Sequence, residues 1–435
     1  MTAFDLQAWL QRAQVQGIKL GLDNIRAALA ALGDPQQSYP SLLVAGTNGK
    51  GSTVSMASAM LLAGGQRVGS TVSPHLTEYR ERFLLDGVAV SQEALEEHGR
   101  WVATRLDPAP DCQDITFFEL GVALALSLFA AEEVDCAVIE VGMGGEFDAT
   151  RACGPHVLAL TNVDMDHVRH LGPTLLDIAR TKARAAPEGG VVVVGEKRED
   201  RLGPILEEVA AAGATLWLRG RDFSITEGAG GLRYVGPSLT LDGITLGLAG
   251  AHQVDNAAVA LASVEAFCAR AGIALPSDEA LREGLLEARV PGRLERLPLG
   301  NSGAGVLLDG AHNPAGARAL ERELAATSRP RRRIWLYAAM NDKDRQPLVS
   351  ALLPHVDEVW CTAGSSTPRF AEPSQLAQEI RDAGGRAQVV TAPPQGVERA
   401  MAALGPGDEL LVAGSLYLVG DVRPRLVAEQ GAGAT

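Results

Sequence analysis

The stretch that most constrains this chain is Ser41-Leu42-Leu43-Val44-Ala45-Gly46-Thr47-Asn48-Gly49-Lys50-Gly51-Ser52-Thr53-Val54. Leu42 to Ala45 reads as a short buried strand, and Thr53 to Leu62 has the composition of a helix. The glycines at 46, 49 and 51 between them let the backbone fold around a phosphate with its N–H groups pointing inward. The N-terminus of the following helix adds a favourable dipole. Lys50 supplies a point charge for β- and γ-phosphates, and Ser52 or Thr53 a hydroxyl near Mg²⁺. The spacing is not that of the standard Walker A pattern, because Val44 stands where its first glycine belongs. An ordinary glycine turn is the alternative reading. Strand, turn, lysine and helix in this order favour an ATP site built on Thr47, Asn48, Gly49, Lys50, Gly51 and Ser52.

At 435 residues the chain is too long for one ordinary core, and two or three domains are expected. Its 46% hydrophobic and 21% charged residues suit a globular protein. A net charge of −14 argues against a nucleic-acid-binding surface, so anionic substrates need a locally positive site. The five cysteines, at 112, 136, 153, 268 and 361, show neither zinc spacing nor a disulfide framework, which points to a reducing cytoplasm. Met1 to Asp5 lacks a basic segment followed by an apolar core, so no signal peptide is expected. The longest apolar run, Leu120 to Ala131, is too short to span a bilayer, and no membrane role is implied.

Read in order, residues 1–40 hold two short helices. Strands follow at Leu42–Ala45, Arg67–Val72, Cys136–Val141, His156–Val163, Val191–Val194 and Thr215–Leu218, alternating with helices as in a parallel sheet. Phe223 to Leu248 switches to short alternating strands with glycine turns, a small antiparallel sheet. The helical reading stops at Val290-Pro291-Gly292-Arg293, which divides an ATP-binding domain (1–290) from a second, smaller doubly wound domain (291–435). There the strands are Val306–Leu308, Ile334–Tyr337, Glu358–Cys361, Gln388–Val390 and Glu409–Val412. The run Arg329-Pro330-Arg331-Arg332-Arg333 is expected on solvent at a helix–strand turn.

Ligands of an open parallel sheet sit beyond the carboxyl ends of its strands. Four such ends here bear polar residues: the phosphate loop, Ser73, Glu140, and Asp164 with Asp166 and His167. Mg²⁺ favours oxygen ligands, and two ions beside ATP would neutralise charge on a transferred phosphoryl group. Singly, Glu140 reads as a solvated carboxylate and His167 as a structural histidine; their coincidence favours function. In the second domain Asn313 suits a helix N-cap before Pro314. Asp309 and His312 exceed what capping needs. Arg293 is either a phosphate contact or a surface arginine.

These stretches together resemble the Mur ligase superfamily, and most closely the folylpolyglutamate synthase and dihydrofolate synthase family. The matching runs are Gly46–Ser52, Ser73–Leu76, Thr116–Glu119, Glu140–Gly145 with Asp148–Thr150, Thr161–His167, Ala251–Ala257, Pro291–Glu295, Asp309–Pro314, Asp342–Asp344 and Gly414–Gly420. The resemblance implies an ATPase domain followed by a Rossmann-like α/β domain, with ATP at their interface. By it, Ser73, Glu140 and His167 fall on magnesium positions, Asn256, Arg293 and Asp309 on further ATP contacts, and Lys182 on a carbamylated lysine that acts as an anionic metal ligand. His312 and Ser415 fall on the glutamate site, and Ile18, Leu20, Thr116, Phe118, Asp148 and Ala149 on the pterin site. Either Phe117 or Phe118 reads equally as a core aromatic.

The implied chemistry is ligation through an acyl phosphate. A carboxylate of reduced folate or dihydropteroate attacks the γ-phosphate of ATP, and the amine of L-glutamate then displaces phosphate. Lys50, Lys182, His167, Arg293 and His312 would carry catalysis. A cytoplasmic monomer with no nucleic-acid partner is expected. Other amino-acid ligases of the superfamily and a non-catalytic nucleotide switch are the competing readings. Two departures bear on acceptor choice: Glu146-Phe147 before Asp148 where the family has Arg-Leu, and Arg151 in place of Asn; separately, Arg184 stands two residues after Lys182 where Gly is usual. Gly121 also stands where Thr is common.

Overall fold

The computed structural model describes residues 4–14, 21–228, 230–364 and 369–432. They pack as two compact units. The first comprises residues up to His75, Tyr79–Gly247 and Gln253–Arg289; the second comprises Leu76–Glu78, Leu248–His252 and the chain from Val290. A single cut at 290 overlooks the two short segments, whose residues pack with the second unit although they lie early in the chain. Among the described residues no helix is long and apolar enough to cross a membrane.

The first unit is built on eight strands: β1 (Ser41–Ala45), β2 (Val68–Thr71), β3 (Phe83–Leu85), β4 (Val88–Ala89), β5 (Cys136–Glu140), β6 (Val157–Leu160), β7 (Val191–Val194) and β8 (Thr215–Leu218). Their order is β4-β3-β2-β5-β1-β6-β7-β8. The pairs from β2 to β8 are parallel, while β3 and β4 run antiparallel at the edge. Every residue of β1 and β5 is buried, as expected of central strands covered on both faces. From β5 the chain passes over β1 to reach β6. The carboxyl ends of β5, β1 and β6 therefore adjoin at the point where strand order reverses, the ligand-binding position of such sheets. The β3–β4 hairpin was not expected, although Asp86-Gly87 carries its signal: both residues adopt positive φ, as a tight two-residue turn demands.

Strands β9 (Ser224–Gly228), β10 (Gly231–Val235) and β11 (Thr240–Ile244) form the antiparallel sheet. Glu265, buried on the helix His252–Ala271, holds it. Its carboxylate accepts from Tyr234 Oη at 2.9 Å, Ser238 Oγ at 2.7 Å, and the backbone N–H groups of Ser238 and Leu239.

The second unit contains β12 (Glu295–Pro298), β13 (Gly305–Asp309), β14 (Arg333–Tyr337), β15 (Glu358–Cys361), β16 (Ala387–Val389) and β17 (Glu409–Ala413), in the order β12-β13-β17-β14-β15-β16. All neighbours are parallel except β12, an edge strand unread in the sequence because it is short and ends in proline. Residues alternate between two apolar clusters. Leu307, Trp335 and Leu411 point to one face, and Leu308, Leu336 and Val412 to the other. Both faces are covered, so the fold is the doubly wound α/β arrangement expected.

The arginine run does not all lie on solvent. Each of its four arginines meets a carboxylate: Arg329 with Asp357, Arg331 with Asp408, Arg332 with Glu358 and Arg333 with Glu409. Arg333 is 1% exposed, with Nε 2.6 Å from Glu409 Oε1 and NH1 donating to His355 O at 3.1 Å. Its position as first residue of β14 draws it into the sheet. Removing one member of a buried pair leaves the other charge desolvated, so Arg333→Met should destabilise the second unit by about 3 kcal/mol. Arg331→Ala, at an exposed side chain, should shift the urea midpoint far less. Equal midpoints for the two variants would refute this account.

Candidate active site

The phosphate loop leaves β1 at Gly46 and enters the helix Lys50–Ala63 at Gly49. Gly49 occupies the left-handed N-cap position at φ 82°, and a Cβ there would strike the Asn256 carboxamide. A Cβ at Gly46 would collide with Thr161 Oγ1. The loop is stitched to the end of β6. Asn48 O accepts from Thr161 Oγ1 at 2.7 Å and Asn162 Nδ2 at 2.9 Å, and Asn48 N donates to Asn162 Oδ1 at 3.0 Å. Thr47 N donates to Asn162 O, and Asp164 N donates to Thr47 Oγ1 at 2.9 Å. Thr161 and Asn162 do not stand among the sequence candidates, although two hydrogen-bonding side chains at a strand end signal such a contact.

Lys50 Nζ folds back to donate to Gly46 O at 3.2 Å and Thr47 O at 3.4 Å. Lys182, from the helix Leu175–Ala183, donates to the same Gly46 O at 3.0 Å. It is only 4% exposed. Burial first, and then the neighbouring Lys50 charge, lower its pKa from 10.5 to about 7, against the opposing pull of Asp166 and Asp148. Asn256 lies against Gly49 and donates from Nδ2 to Gln253 Oε1 at 2.8 Å. Five sequence-derived candidates, Thr47, Asn48, Lys50, Lys182 and Asn256, thus converge on one loop.

Glu140 ends β5 and is 7% exposed. Its Oε2 accepts from Ser73 N at 3.1 Å, and a Cβ at Gly51 would lie 3.7 Å from the same oxygen. The Glu140 carboxylate beside the loop is a hard oxygen donor of the kind Mg²⁺ prefers. His167 takes a left-handed conformation at φ 52° ahead of the short helix Val168–Leu171, with its ring 45% exposed and Nε2 3.8 Å from Asp166 Oδ2. Among the described residues, no three His, Cys, Asp or Glu side chains form a ready-made metal cluster.

The loop after β5 carries the other candidates. Asp148 caps the 3₁₀ helix Ala149–Cys153 and accepts from Met143 N at 2.8 Å, Thr150 N at 3.0 Å and the Thr150 hydroxyl. Burial raises its pKa, and those bonds oppose the rise. Ala149 is buried behind it. Thr116 commits its hydroxyl to a capping box: it accepts from Glu119 N at 3.2 Å, while Thr116 N donates to Glu119 Oε2 at 2.8 Å. Both phenylalanines pack against the core. Phe118 lies over Gly142, and Phe117 lies against Tyr79 with its ring centroid 5.6 Å from the Arg82 guanidinium. Tyr79 Oη occupies the space that a side chain at 121 would fill, so Gly121 makes room for it. Ile18 and Leu20 lie outside the described residues.

In the second unit Asp309 ends β13 and is 8% exposed. Its oxygens accept from Leu294 N at 2.9 Å and Ala311 N at 2.8 Å. Burial raises its pKa, and the Arg293 charge is the main opposing influence. His252 joins this cluster, its pKa lowered by burial and drawn back up by Asp309. It was missed as a candidate although it lies in a run that had been recognised. His312 Nδ1 is 2.8 Å from Gly310 O, and Asn313 caps the helix Pro314–Ala326 through Gly316 N at 2.8 Å. Ser415, buried before the helix Leu416–Ala432, accepts from Tyr417 N at 3.2 Å.

The Mur ligase middle domain matches residues 44–264, and the Mur ligase glutamate ligase domain matches residues 292–416. The chain is similar to a dihydrofolate synthase/folylpolyglutamate synthase of Mycobacterium tuberculosis, 36% identical over 408 residues, covering 88% of this chain and 82% of the relative. It is also similar to a probable bifunctional folylpolyglutamate synthase/dihydropteroate synthase of Halobacterium salinarum, 37% identical over 418 residues, 94% of this chain and 50% of the relative. The chain thus spans about half the length of that relative and of its counterpart in Haloferax volcanii. Escherichia coli FolC in complex with DHPP and ADP superposes with a TM-score of 0.87 at 30% identity, covering 98% of this chain and 99% of that one.

The depressed pKa of Lys182 has a stability consequence. Between about 7 and 10.5 the unfolded chain holds a proton there that the folded chain does not. Stability contributed by this group therefore rises with pH across that window, with a limiting slope of about 1.4 kcal/mol per pH unit. Below the window both forms are protonated and the penalty of burying the ammonium is constant. In CO₂-free buffer, Lys182→Met should remove this rise. Parallel stability curves for the two proteins over the window, from denaturant titrations, would overturn the assignment.

Proposed function

Because the chain belongs to the Mur ligase superfamily and, within it, to the dihydrofolate synthase/folylpolyglutamate synthase family, we propose that it is an ATP-dependent amide-forming ligase that adds L-glutamate to reduced folates and to dihydropteroate. The observation that carries this reading is the pair of lysines, Lys50 and Lys182, meeting at Gly46 O inside a glycine loop pinned to the end of β6. The Lys50 ammonium at that carbonyl is stabilised by an incoming polyphosphate, which the loop N–H groups and helix N-terminus also favour, while Lys182 beside it is the group open to modification.

A carboxylate is a poor electrophile with a poor leaving group, so amide formation needs activation. One carboxylate oxygen of the acceptor attacks the γ-phosphorus of ATP, the bond to the bridging oxygen breaks, and ADP leaves with the electron pair. The amine of glutamate then adds to the carbonyl of the acyl phosphate. The tetrahedral intermediate collapses with loss of phosphate and a proton. In this reading the protein mainly positions reactants and balances charge. Lys50 faces the β- and γ-phosphates, with Thr47, Asn48, Gly49, Gly51 and Ser52 around them. Asn256, Arg293 and Asp309 provide further nucleotide contacts. His312 and Ser415 receive the incoming glutamate, and the loop bearing Asp148 and Ala149, with Thr116 and Phe118, faces the pterin.

Ser73, Glu140 and His167 would hold magnesium, two ions in all, which when bound neutralise phosphate charge. Carbamylation of Lys182 fits the same scheme. Only the neutral amine combines with CO₂, and a pKa of about 7 leaves much of this lysine neutral near pH 7. The carbamate replaces a cation beside Lys50 with an anionic oxygen donor.

Glutamate-dependent phosphate release from ATP should occur with tetrahydrofolate and with dihydropteroate, and not with a UDP-muramoyl peptide. Release with the muramoyl acceptor alone would replace this reading by a different ligase of the superfamily. Lys182→Ala should bind ADP and lose ligation by about 100-fold or more in kcat. Full turnover by that variant would remove the carbamate from the mechanism.

A further inference from the structure

Two of the sequence departures meet in space. Glu146 Oε2 lies 3.0 Å from Arg184 NH1, Arg184 Nε lies 3.2 Å from Glu208 Oε1, and Arg180 reaches Glu208 and Glu207 at 2.8 Å each. This ladder joins the loop after β5 to the helices Leu175–Ala183 and Glu199–Ala211. The Glu146 and Glu208 side chains are 21% and 15% exposed, while Arg184 is 42% exposed, so each pair is shielded on its carboxylate side only. The backbone is fastened at the same place. Glu146 N donates to Thr181 O at 3.0 Å, and a Cβ at Gly145 would lie 2.8 Å from Lys182 O. On the far side Arg151 NH1 donates to Glu146 O at 3.3 Å. Between the two fastened neighbours, Glu146 and Asp148, sits Phe147, 45% exposed.

We propose that Glu146 and Arg184 are a positioning pair for the acyl acceptor: their bridge clamps the Gly144–Arg151 loop onto the helix that carries Lys182 and so sets acceptor affinity. The pair lies at the rim of the loop, and its effect passes through the placement of Phe147 and Asp148. The identity of the acceptor rests on the ligase reading; the clamp itself does not. The negative charge at position 146 is met here by the cation at position 184.

The test is a double-mutant cycle of Glu146→Gln and Arg184→Gln, with Arg184→Lys as the conservative variant. Each Gln variant should raise the KM for tetrahydrofolate about 2- to 5-fold, Glu146→Gln by losing its bridge to Arg184 and Arg184→Gln by losing that bridge and the one to Glu208, with kcat within about twofold and the KM for ATP unchanged. The double variant should be no worse than Arg184→Gln alone, and Arg184→Lys should keep most of the affinity. Multiplying effects in the double, or parallel changes in kcat and every KM, would overturn the proposal. Hydrogen exchange of amides 144–151 without substrates should quicken in Arg184→Gln, and unchanged exchange would also overturn it. If the unaltered protein adds no glutamate to any folate, the ligase reading fails, while the exchange measurement still decides the clamp.

Discussion

One carbonyl oxygen bears the main electrostatic tension of the first unit. Gly46 O receives both Lys50 and Lys182, and the second of these is buried. Burial, and after it the neighbouring Lys50 charge, disfavours the charged form of Lys182, which is why it sits far below the ordinary lysine range. Such a centre relaxes when anionic groups arrive or when the amine loses its proton. It can exist only because the loop presenting the carbonyl is held from outside, by Thr161, Asn162 and Asp164 at the end of β6 and by Asn256 against Gly49. Glycine at 46 and 49 is required because those neighbours occupy the space of a side chain.

Other buried charges behave differently. Glu265 is satisfied by four donors and anchors the antiparallel sheet. Asp148 accepts from two backbone N–H groups and a hydroxyl, and Arg333 is closed off by Glu409 and a backbone carbonyl. These groups meet the ordinary condition for burying charge, which is a full set of partners. Asp309 stands between the extremes. Two backbone donors hold it, yet burial still raises its pKa against the pull of Arg293.

The order of strands and helices could be read along the chain because periodicity and glycine punctuation act over a few residues. The central strands β1 and β5, the capped helix after Thr116 and the switch to short antiparallel strands near 223 all follow from local pattern. The β3–β4 hairpin escaped only because its Asp86-Gly87 signal was passed over, and β12 because four residues ending in proline leave little to read. The arginine run misled for another reason. Exposure of a charge run is a local average, whereas Arg333 is pulled inward by Glu409, 76 residues later. Likewise the unusual residues at 146 and 184 look like two separate departures until folding brings them to one ion pair.

What the sequence by itself determined is the chemical inventory: a glycine loop with its lysine, carboxylates at strand ends, and motifs in an order specific enough to identify the family. Those properties are local or are kept as a linear pattern, so no coordinates are needed to recognise them. Only the tertiary structure decided which groups are committed and which are free to act. Thr161 and Asn162 prove to spend their side chains on the loop carbonyl of Asn48, while Lys182 proves to share an acceptor with Lys50. The reason is that burial and charge proximity set the protonation and the partners of a side chain, and both depend on residues more than a hundred positions away.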